Sequence, residues 1–512
     1  MIKKYLNIVL KIVFSRTMIT ILLMAVQISW LLLGFWLMEE MALVSMLLIS
    51  GILLIYIINK DETPEFKLAW VIPICMTPVF GALLYLFIMG NLGGIGLKKG
   101  LEKRLAQTSD FLKTAQEVKE EIYWVDGHMA GMATYVEKVG GYPIYRYSSA
   151  AYFGLGEEMF ADLLLELEKA EDFIFLEYFI VEEGKMWNSI LEILERKAAE
   201  GVEVRFMYDG MCSLLLLPYS YPKKLEKKGI HTKAFSPIIP LLSTSQNNRD
   251  HRKILVIDGR VAYTGGINLA DEYINETVKY GHWKDVAIRV EGEAVTSFTL
   301  MFLQMWNVSE KGNEDYLKYI RKDYHLLTQA EGWIMPYGDG PANTENVAET
   351  IYMDIIHQAV RYVHIMTPYF IVDNAMLDTL QYAARRGVEV RIIIPHIPDK
   401  KTIFAMSRTF YTDLLEAGVE VYEYQPGFVH GKVFISDDEK AVVGTVNLDY
   451  RSLYHHFECA CFLYRCPVIQ EVEADFQRTL ATSMKVDLDY YKKIPLWERL
   501  LGRVLRLVAP LT

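Results

Sequence analysis

The chain has 512 residues, which is enough for two or three domains with a sizeable buried core. Its formal net charge is −11, and this acidic balance disfavours nucleic acid as a bulk partner, because such binding needs a broad basic surface. The 5 cysteines include none at zinc-ligand spacing with a histidine pair, so we expect structural or incidental thiols.

The N-terminal region is strongly apolar and predicts a membrane protein. Apolar runs cover residues 18–38, 42–58 and 68–90, each near the roughly 20 residues that a helix needs to cross a bilayer. A cleaved signal peptide is the competing interpretation, but three runs without a small-residue cleavage site favour uncleaved anchors. We expect the first two runs to form a helical hairpin, while the third, interrupted by Pro73 and Pro78, dips in and returns.

Basic residues flank the apolar region on both sides. By the positive-inside tendency, this pattern favours the cytoplasmic face for the residues that follow. The predicted location is therefore the cell membrane, as a multi-pass protein with its catalytic domain on the cytoplasmic side.

An internal repeat organises the rest of the chain. FLEYFIVEEG at 175–184 is matched by MTPYFIVDNA at 366–375, and GVEVRFMYDG at 201–210 is matched by GVEVRIIIPH at 387–396. Between these strand-like segments lie MWNSILEILERKAAEG and AMLDTLQYAARRG, helical patterns that each end on glycine. Strands alternating with helices predict two α/β halves, each a sheet with flanking helices.

Each half contains a polar motif of fixed spacing. The first reads DHRKILVIDG from residue 250 and continues to Gly265 and Asn268. The second contains HGKVFISDDE from residue 430 and continues to Gly444 and Asn447. Every motif position recurs 179 residues later, from 251 to 430 and from 268 to 447. This constant spacing indicates a fixed geometry.

The motif predicts a β-hairpin with its polar groups at the open end. His251 and Lys253 lie two apart on the expected strand and so share a face, and a turn at Asp258-Gly259 brings Asn268 back beside them. Asp258 would then lie about 23 Å from His251, at roughly 3.3 Å per residue. We therefore expect Asp258 and its counterpart Asp437 to brace the turns, although both belong to the recurring catalytic motif.

Two such clusters, His251 with Lys253 and His430 with Lys432, can enclose one shared site or form two independent sites. Paired imidazoles suit a double displacement at phosphorus, in which one attacks as the neutral base and the other donates a proton to the leaving oxygen. The lysines, together with Asn268 and Asn447, would hold the nonbridging phosphate oxygens. This chemistry requires no metal and no other cofactor.

These motifs resemble those of the phospholipase D superfamily, and within it bacterial cardiolipin synthases. The resemblance rests on HRKILVID with GGIN, HGKVFISD with GTVN, and stretches such as DEYINETVKYGHWKDVAIRVEG and YEYQPGFVHGK. It implies two phospholipase D-like halves, each with a mixed β-sheet and flanking helices, sharing one active site behind an N-terminal α-helical membrane anchor. It also implies that two phosphatidylglycerol molecules react, through a phosphohistidine, to give cardiolipin and glycerol.

The alternatives differ in the acceptor or in the class of protein. A membrane-bound phospholipase D would use water at the same site and release phosphatidic acid. A superfamily nuclease would need an exposed basic groove, which the acidic balance disfavours. A catalytically inactive scaffold would have no need for two intact motifs. The expected partners are phosphatidylglycerol, other membrane phospholipids and the bilayer, without nucleic acid.

The resemblance also implies roles for single residues. It makes His251 the nucleophile and His430 the general acid and later base. It places an acid shortly after each motif against the imidazole, for which Asp285 and Glu458 are the candidates, with ordinary strand-end solvation as the alternative. Gly266 stands where many superfamily members carry serine, whereas the second motif has Thr445, so we expect a hydroxyl on one side of the phosphate only.

These observations divide the chain into five predicted segments. They are a membrane-spanning N-terminal region (1–92), a juxtamembrane segment (93–138), phospholipase D-like half 1 (139–328), half 2 (329–488) and a basic amphipathic tail (489–512). In the tail, leucines and valines recur at helical spacing opposite arginines. A core-facing helix and an interfacial membrane helix both fit this pattern, and the second is preferred beside an anchored N-terminus.

Overall fold

A computed structural model describes residues 40–89, 92–211, 216–236, 248–321 and 330–511, together with residues 25 and 29. The chain divides into two units. One comprises Met1–Gly96, Ile238–Asn248 and Val504–Thr512, and the other comprises Leu97–Pro237 and Arg249–Arg503. Apart from residues 25 and 29, the predicted run at 18–38 lies outside the described residues.

The first unit contains three helices after residue 39: α1 (Glu40–Asn59), α2 (Pro64–Met76) and α3 (Pro78–Met89). The third apolar run breaks between α2 and α3 at Pro78, as the sequence predicts, whereas Pro73 stays inside α2. The two helices pack closely, because a Cβ on Gly81 would come within 2.7 Å of the Ile74 backbone. Trp70 and Tyr85 meet edge to face at 5.2 Å between ring centroids.

None of the helices in the described part of the chain is long and apolar enough to cross a membrane. The multi-pass anchor expected from the apolar runs is therefore not found among these residues. One physical reason lies in the third run, which the break at Pro78 divides into helices of 13 and 12 residues.

The second unit begins within α4 (Leu92–Thr108) and continues with α5 (Gln116–Val125) and α6 (Gly127–Tyr135). Its first half then contains the strands β1 (Ser148–Phe153), β2 (Phe173–Tyr178), β3 (Glu203–Asp209), β4 (Ile230–Phe235), β5 (Ile254–Ile257), β6 (Val261–Gly265), β7 (His282–Lys284) and β8 (Ala287–Gly292). All except β7 form one sheet in the order β1-β8-β6-β5-β2-β3-β4. The sheet is mixed, because β2, β3 and β4 run parallel while β5 is antiparallel to β2.

The second half repeats this sheet. Its strands are β9 (Trp333–Asp339), β10 (Tyr362–Met366), β11 (Phe370–Ile371), β12 (Glu389–Pro395), β13 (Glu420–Tyr424), β14 (Gly427–Val429), β15 (Val433–Ser436), β16 (Lys440–Gly444), β17 (Leu448–Asp449), β18 (Glu458–Tyr464) and β19 (Ser483–Lys485). The order β9-β18-β16-β15-β10-β12-β13 reproduces the first sheet strand for strand, with β19 added at the edge. The predicted duplication of a mixed sheet is therefore confirmed.

Helices cover both sheets. In chain order they are α7 (Gly156–Glu168), α8 (Lys185–Ala199), α9 (Tyr221–Glu226), α10 (Val295–Trp306), α11 (Val347–Gln358), α12 (Asn374–Arg385), α13 (Lys401–Arg408), α14 (Tyr411–Glu416), α15 (Ile469–Ala481), α16 (Leu488–Lys493) and α17 (Leu496–Arg506). The two helices predicted from the repeat are α8 and α12. The glycines that follow them, Gly201 and Gly387, have φ of 99° and 96°, the left-handed conformation that ends a helix.

The two halves share one interior. Every residue of α10 is buried, and this helix contacts β2 and β5 of the first sheet and β9 of the second. A helix that is buried all round needs apolar residues on every face, and VTSFTLMFLQMW supplies them. The short strands β7 and β14 pair in parallel, so they join the halves through backbone hydrogen bonds. Strand β6 also contacts β16 and β18, which brings the motif hairpins together.

Candidate active site

The two motifs form matching hairpins. In the first, β5 and β6 pair so that Ile257 lies opposite Val261, which places the turn at Asp258-Gly259-Arg260 as predicted. In the second, β15 and β16 pair with Ser436 opposite Lys440. His251 and Lys253 were expected on the strand itself, but β5 begins only at Ile254. Of the three residues before it, His251 is bound through its backbone N–H by Phe457 of the other half, whereas the N–H of Arg252 donates to Asp250 of the same half.

Each motif histidine is anchored by the backbone of the opposite half. The N–H of His251 donates to the carbonyl oxygen of Phe457 at 2.9 Å. The N–H of His430 donates to the carbonyl oxygen of Lys284 at 2.7 Å. Neither motif therefore completes its own geometry without the other half.

Each imidazole is also oriented by a carboxylate that comes from the opposite half. Nδ1 of His251, in the first half, lies 2.9 Å from both carboxylate oxygens of Glu458, which opens β18 of the second half. Nδ1 of His430, in the second half, lies 2.6 Å from Oδ2 of Asp285, between β7 and β8 of the first half. The sequence analysis expected an acid after each motif but did not anticipate that each acid serves the other motif.

Several contacts bring these pairs into one site. Lys253 is close enough for its positive charge to lower the pKa of both His430 and Lys432. A Cβ on Gly266 would come within 2.0 Å of Asp285 Oδ1 and 2.9 Å of the His430 carbonyl oxygen. The residues of both motifs therefore surround a common space, and of the two arrangements open to the sequence the structure has the shared one.

Both imidazoles and both ammonium groups are buried, and burial changes their charge. Desolvation, followed by the nearby charge of Lys432, lowers the pKa of His430 to about 4. Burial lowers the pKa of His251 well below its ordinary value. Burial likewise lowers the pKa of Lys253 to about 8 and that of Lys432 to about 7. At neutral pH both imidazoles are thus neutral in the free protein.

The two acids stay ionised despite their burial. Desolvation opposes ionisation of Glu458, but its contact with His251, followed by the charge of Lys253, holds the pKa of this carboxyl well below its ordinary range. Burial also opposes ionisation of Asp285, and the pKa of that carboxyl is lowered by its contact with His430 and the charge of Lys432. A neutral imidazole beside a carboxylate carries its proton on Nδ1 and leaves the lone pair of Nε2 free.

The motif lysines fold back on their own histidines. Nζ of Lys253 donates to the carbonyl oxygen of His251 at 2.5 Å. Nζ of Lys432 donates to the carbonyl oxygen of His430 and also lies 3.0 Å from Nδ1 of that ring. Each ammonium is thereby held beside the imidazole of its own motif.

The two asparagines differ in their partners. Asn268 is held from both ends, since its side-chain oxygen accepts from the N–H of Ile180 at 3.0 Å and its amide donates to the Tyr273 hydroxyl at 2.8 Å. The side-chain oxygen of Asn447 is buried and has no hydrogen-bond partner among the described residues. The ring of Tyr273 lies 5.4 Å from that of His430, and Phe179, which precedes Ile180, lies 4.9 Å from the ring of His251.

Thr445 contacts the acid that orients the first histidine. Its hydroxyl donates to Glu458 Oε2 and also binds the backbone of Cys459, accepting from its N–H at 3.0 Å. The hydroxyl therefore steadies the acid behind His251, and the predicted contact with phosphate stays a prediction. Gly266 occupies the matching position beside Asp285, where a Cβ would collide with the carboxylate.

Asp258 and Asp437 lie at the far end of the hairpins, as predicted. The carboxylate of Asp258 accepts from three successive backbone N–H groups, those of residues 171 to 173, at 2.7 to 2.9 Å. Asp437 accepts in the same way from residues 360 to 362, at 2.7 to 2.9 Å. Both aspartates also take the left-handed turn conformation, with φ of 53° and 57°. Each binds the turn to the start of the neighbouring antiparallel strand, β2 in the first half and β10 in the second.

Three aromatic side chains and a third histidine complete the walls of the site. Phe179 and His456 lie 4.9 Å and 5.4 Å from the ring of His251, and Trp283 lies 5.5 Å from the ring of His430. The sequence analysis did not single out these residues or Tyr273. The available signal was proximity in sequence, because Trp283 and His456 each stand two residues before an orienting acid.

The known proteins and family models that resemble this chain agree on one family. A model described as "Cardiolipin synthase, PLD-like domain" matches residues 163–306 and 352–480, and one described as "Phospholipase_D-nuclease N-terminal" matches residues 48–88. A cardiolipin synthase of Alkalihalophilus pseudofirmus is 35% identical over 464 residues, covering 89% of this chain and 91% of that protein. A cardiolipin synthase of Geobacillus kaustophilus is 33% identical over 488 residues, covering 93% and 95%.

Two further relatives extend the comparison. An uncharacterized protein of Streptococcus mutans is 47% identical over 457 residues, covering 89% of this chain and 99% of that protein. Among solved structures, the phosphatidylserine synthase of Haemophilus influenzae aligns with a TM-score of 0.53 at 13% identity, over 71% of this chain and 93% of that one, and so shares the fold. The duplicated sheet and the matches along nearly the whole chain agree: the chain belongs to the cardiolipin synthase family with phospholipase D-like domains.

Proposed function

We propose that the protein transfers a phosphatidyl group from one phosphatidylglycerol molecule to another and so makes cardiolipin and glycerol. The observation that carries the proposal is the crossed arrangement of the two imidazoles, each held by a carboxylate from the opposite half. Such a site provides two imidazoles at one place, as a double displacement at phosphorus requires. Relatives named cardiolipin synthase that match about nine-tenths of the chain supply the substrate class.

In the first step, His251 attacks the phosphorus of the donor lipid through Nε2. Glu458 accepts a hydrogen bond from Nδ1–H, which fixes the tautomer and stabilises positive charge on the ring as the phosphorus–nitrogen bond forms. The bond from phosphorus to the glycerol headgroup breaks, and His430 gives its proton to the leaving oxygen. Free glycerol departs and leaves a phosphatidyl group on His251.

The protonation of His430 depends on substrate binding. With its pKa lowered to about 4, this ring is neutral in the free site, so the expected protonated acid is not present there at neutral pH. A phosphodiester carries one negative charge, and an anion beside a buried imidazole raises the pKa of that ring. Substrate binding therefore supplies the condition under which His430 gains the proton that it then donates.

In the second step the roles reverse. His430, now neutral, accepts the proton of a hydroxyl on the second phosphatidylglycerol, and that oxygen attacks phosphorus. The phosphorus–nitrogen bond breaks and returns its electron pair to His251. Lys253 and Lys432 stabilise the charge on the nonbridging oxygens during both steps. A water molecule in place of the lipid hydroxyl would give phosphatidic acid.

A membrane location fits this substrate. Many large apolar side chains of α1 are exposed, among them Leu48 at 61%, Ile52 at 68% and Ile55 at 65%. A contiguous apolar surface of this kind is unfavourable in water and favourable in lipid. We infer that this region holds the protein at the bilayer that contains its substrate, with the active site on the cytoplasmic side and the segment boundaries given above.

Product analysis of the purified full-length chain with phosphatidylglycerol as its lipid substrate tests the proposal. We expect cardiolipin and free glycerol in equal amounts. Phosphatidic acid as the main product would instead identify a hydrolase and overturn the proposed transfer. Addition of phosphatidylethanolamine in a parallel reaction shows whether a second donor headgroup is accepted.

A further inference from the structure

His456 is a buried histidine that the catalytic steps leave unused. It is 6% exposed, and neither of its ring nitrogens has a hydrogen-bond partner among the described residues. A buried imidazole without a partner is costly, because its polar atoms have left water without compensation. Whichever tautomer the ring adopts, one nitrogen offers an unused lone pair.

That lone pair belongs to a cluster of ligand atoms. Nδ1 of His456 lies 3.8 Å from Glu458 Oε1, and Nδ1 of His251 lies 2.9 Å from the same carboxylate. One ligand atom from each of the three residues lies within 4.8 Å of the others. Two ligands about 2.1 Å from a tetrahedral Zn²⁺ are roughly 3.4 Å apart, so small side-chain shifts close the cluster around such an ion.

The chemistry of the donors selects the class of ion. Two imidazoles and one carboxylate are the protein ligands of many open zinc sites, which keep a fourth position for water or substrate. Glu458 already accepts from His251 and from the Thr445 hydroxyl, but a carboxylate has about four lone-pair positions and so retains capacity for a metal. The charge of Lys253 opposes a cation here, which favours an ion bound by strong nitrogen ligands over Mg²⁺ or Ca²⁺.

The imidazole of His430 has no such cluster beside it among the described residues. Trp283 stands two residues before Asp285, as His456 stands two residues before Glu458. An indole nitrogen is a donor only and does not bind a metal in this way. The surroundings of the two imidazoles therefore differ chemically, and among the described residues the ligand cluster lies on the side of His251.

We propose that His251, His456 and Glu458 form an inhibitory site for a Zn²⁺-class divalent cation. The ion binds both imidazoles and the carboxylate, and the proton that Nδ1 of His251 had donated to Glu458 moves to Nε2 of the same ring. The lone pair that attacks phosphorus is then lost, and phosphatidyl transfer stops until the metal is removed. The binding part of this inference is independent of the proposed function, whereas the inhibition rests on it.

Binding is measured first and without lipid. The full-length protein in detergent is titrated with Zn²⁺ alone by calorimetry, and with Co²⁺ alone by visible absorption, which reports tetrahedral nitrogen and oxygen ligands. We expect one site per chain. The variant His456→Asn should bind at least about tenfold more weakly, while the matched variant His455→Asn, one residue outside the cluster, should bind as the parent does. Equal affinity of His456→Asn and the parent, or no binding by the parent, overturns the site.

Inhibition is measured with phosphatidylglycerol in the same preparations. We expect Zn²⁺ to abolish turnover of the parent and of His455→Asn, with full recovery on adding EDTA. The zinc concentration that halves the activity of His456→Asn, relative to its own metal-free rate, should rise at least about tenfold. Zinc binding at the cluster without loss of turnover contradicts the inhibitory role. Absence of any lipid product without metal contradicts the proposed function and leaves the binding result standing.

Discussion

At the residue scale, the function depends on how a carboxylate fixes a neutral imidazole. The histidines and lysines of both motifs could be predicted as site residues from the sequence, because they recur at identical spacing. The pairing of His251 with Glu458 and of His430 with Asp285 could not be predicted, because spacing along the chain does not show which half a side chain faces. The same limit explains why the contact of Thr445 with Glu458 was not predicted.

Removing the charge of an orienting acid tests this partnership. We expect Glu458→Gln and Asp285→Asn each to lower kcat by about 10²- to 10⁴-fold with little change in KM, because an amide does not stabilise an imidazolium as a carboxylate does. The control is Glu423→Gln, which alters a His–Glu pair outside the site, where His396 Nδ1 lies 2.7 Å from Glu423 Oε2. Steady-state kinetics on phosphatidylglycerol vesicles give both constants. A loss in the control as large as in Glu458→Gln would count against the assigned role.

The lowered pKa of His430 predicts a dependence of stability on pH. The folded protein holds this ring neutral down to about pH 4, whereas the unfolded chain protonates it near pH 6.5, so the unfolded state binds the extra proton between these values. Acidification through this window therefore lowers the free energy of unfolding, by up to about 1.4 kcal/mol per pH unit for this group. Burial and the charges of Lys432 and Lys253 cause the shift, and Asp285 opposes it.

Chemical unfolding of the parent and of His430→Asn, measured from pH 6.5 to pH 4.5, checks this dependence. The variant should lose less stability on acidification than the parent. Parallel curves for the two proteins would mean that His430 has an ordinary pKa in the folded state.

At the element scale, each hairpin is held at two ends by different residues. The turn and the pairing of β5 with β6 could be predicted, because Asp-Gly between apolar strands is a strong local signal. The start of β5 could not, since the N–H of His251 before it is bound by Phe457, the residue that precedes β18 in the other half. The local sequence preference predicts the hairpin, whereas contacts with residues distant in sequence determine the conformation of its polar end.

The turn aspartates should affect stability more than catalysis. Asp258→Ala removes the acceptor of three backbone N–H groups and places alanine at φ of 53°, so we expect a loss of about 2–4 kcal/mol in the free energy of unfolding. Asp258→Asn tolerates the same φ and keeps one oxygen acceptor, and it should lose less. Unfolding in denaturant measures both variants. A stable Asp258→Ala protein with no activity would instead give this residue a direct role in catalysis.

We propose that helix α17 supports membrane binding at the C-terminal side of the chain. Its buried residue is Gly502, where a Cβ would come within 2.3 Å of the Ala405 carbonyl oxygen, while Leu496, Trp497 and Leu500 are 53% to 67% exposed. Apolar side chains on a basic helix suit an anionic lipid surface.

Vesicle flotation measures this contribution. The double variant Trp497→Asp/Leu500→Asp should reduce binding of the full-length protein to phosphatidylglycerol vesicles at least about tenfold, because each side chain contributes roughly 1.5–3 kcal/mol when buried in lipid. The control is Leu165→Asp, which changes a leucine of α7 that is 64% exposed. Equal binding by both variants and the parent would remove α17 from the membrane surface.

At the scale of the whole molecule, duplication explains the site. The repeat in the sequence predicted two equal sheets, and the strand orders agree from β1 and β9 onward. The sequence left open whether the halves work separately, because a repeat has the same pattern in either case. The structure links the halves at their polar ends through the pairing of β7 with β14. Glu458 and Asp285 add to this link, because each contacts the histidine of the opposite half. One site made from two halves cannot operate with either half alone.

The most direct test of this shared site compares the rates of cardiolipin formation by the parent, His251→Ala, His430→Ala and an equal mixture of the two variants. One site that uses both imidazoles in sequence predicts a loss of at least about 10³-fold in each variant, in protein that remains folded, and no recovery in the mixture. Two independent sites would leave each variant about half of the parental rate. Retention of that half by either variant would contradict the account.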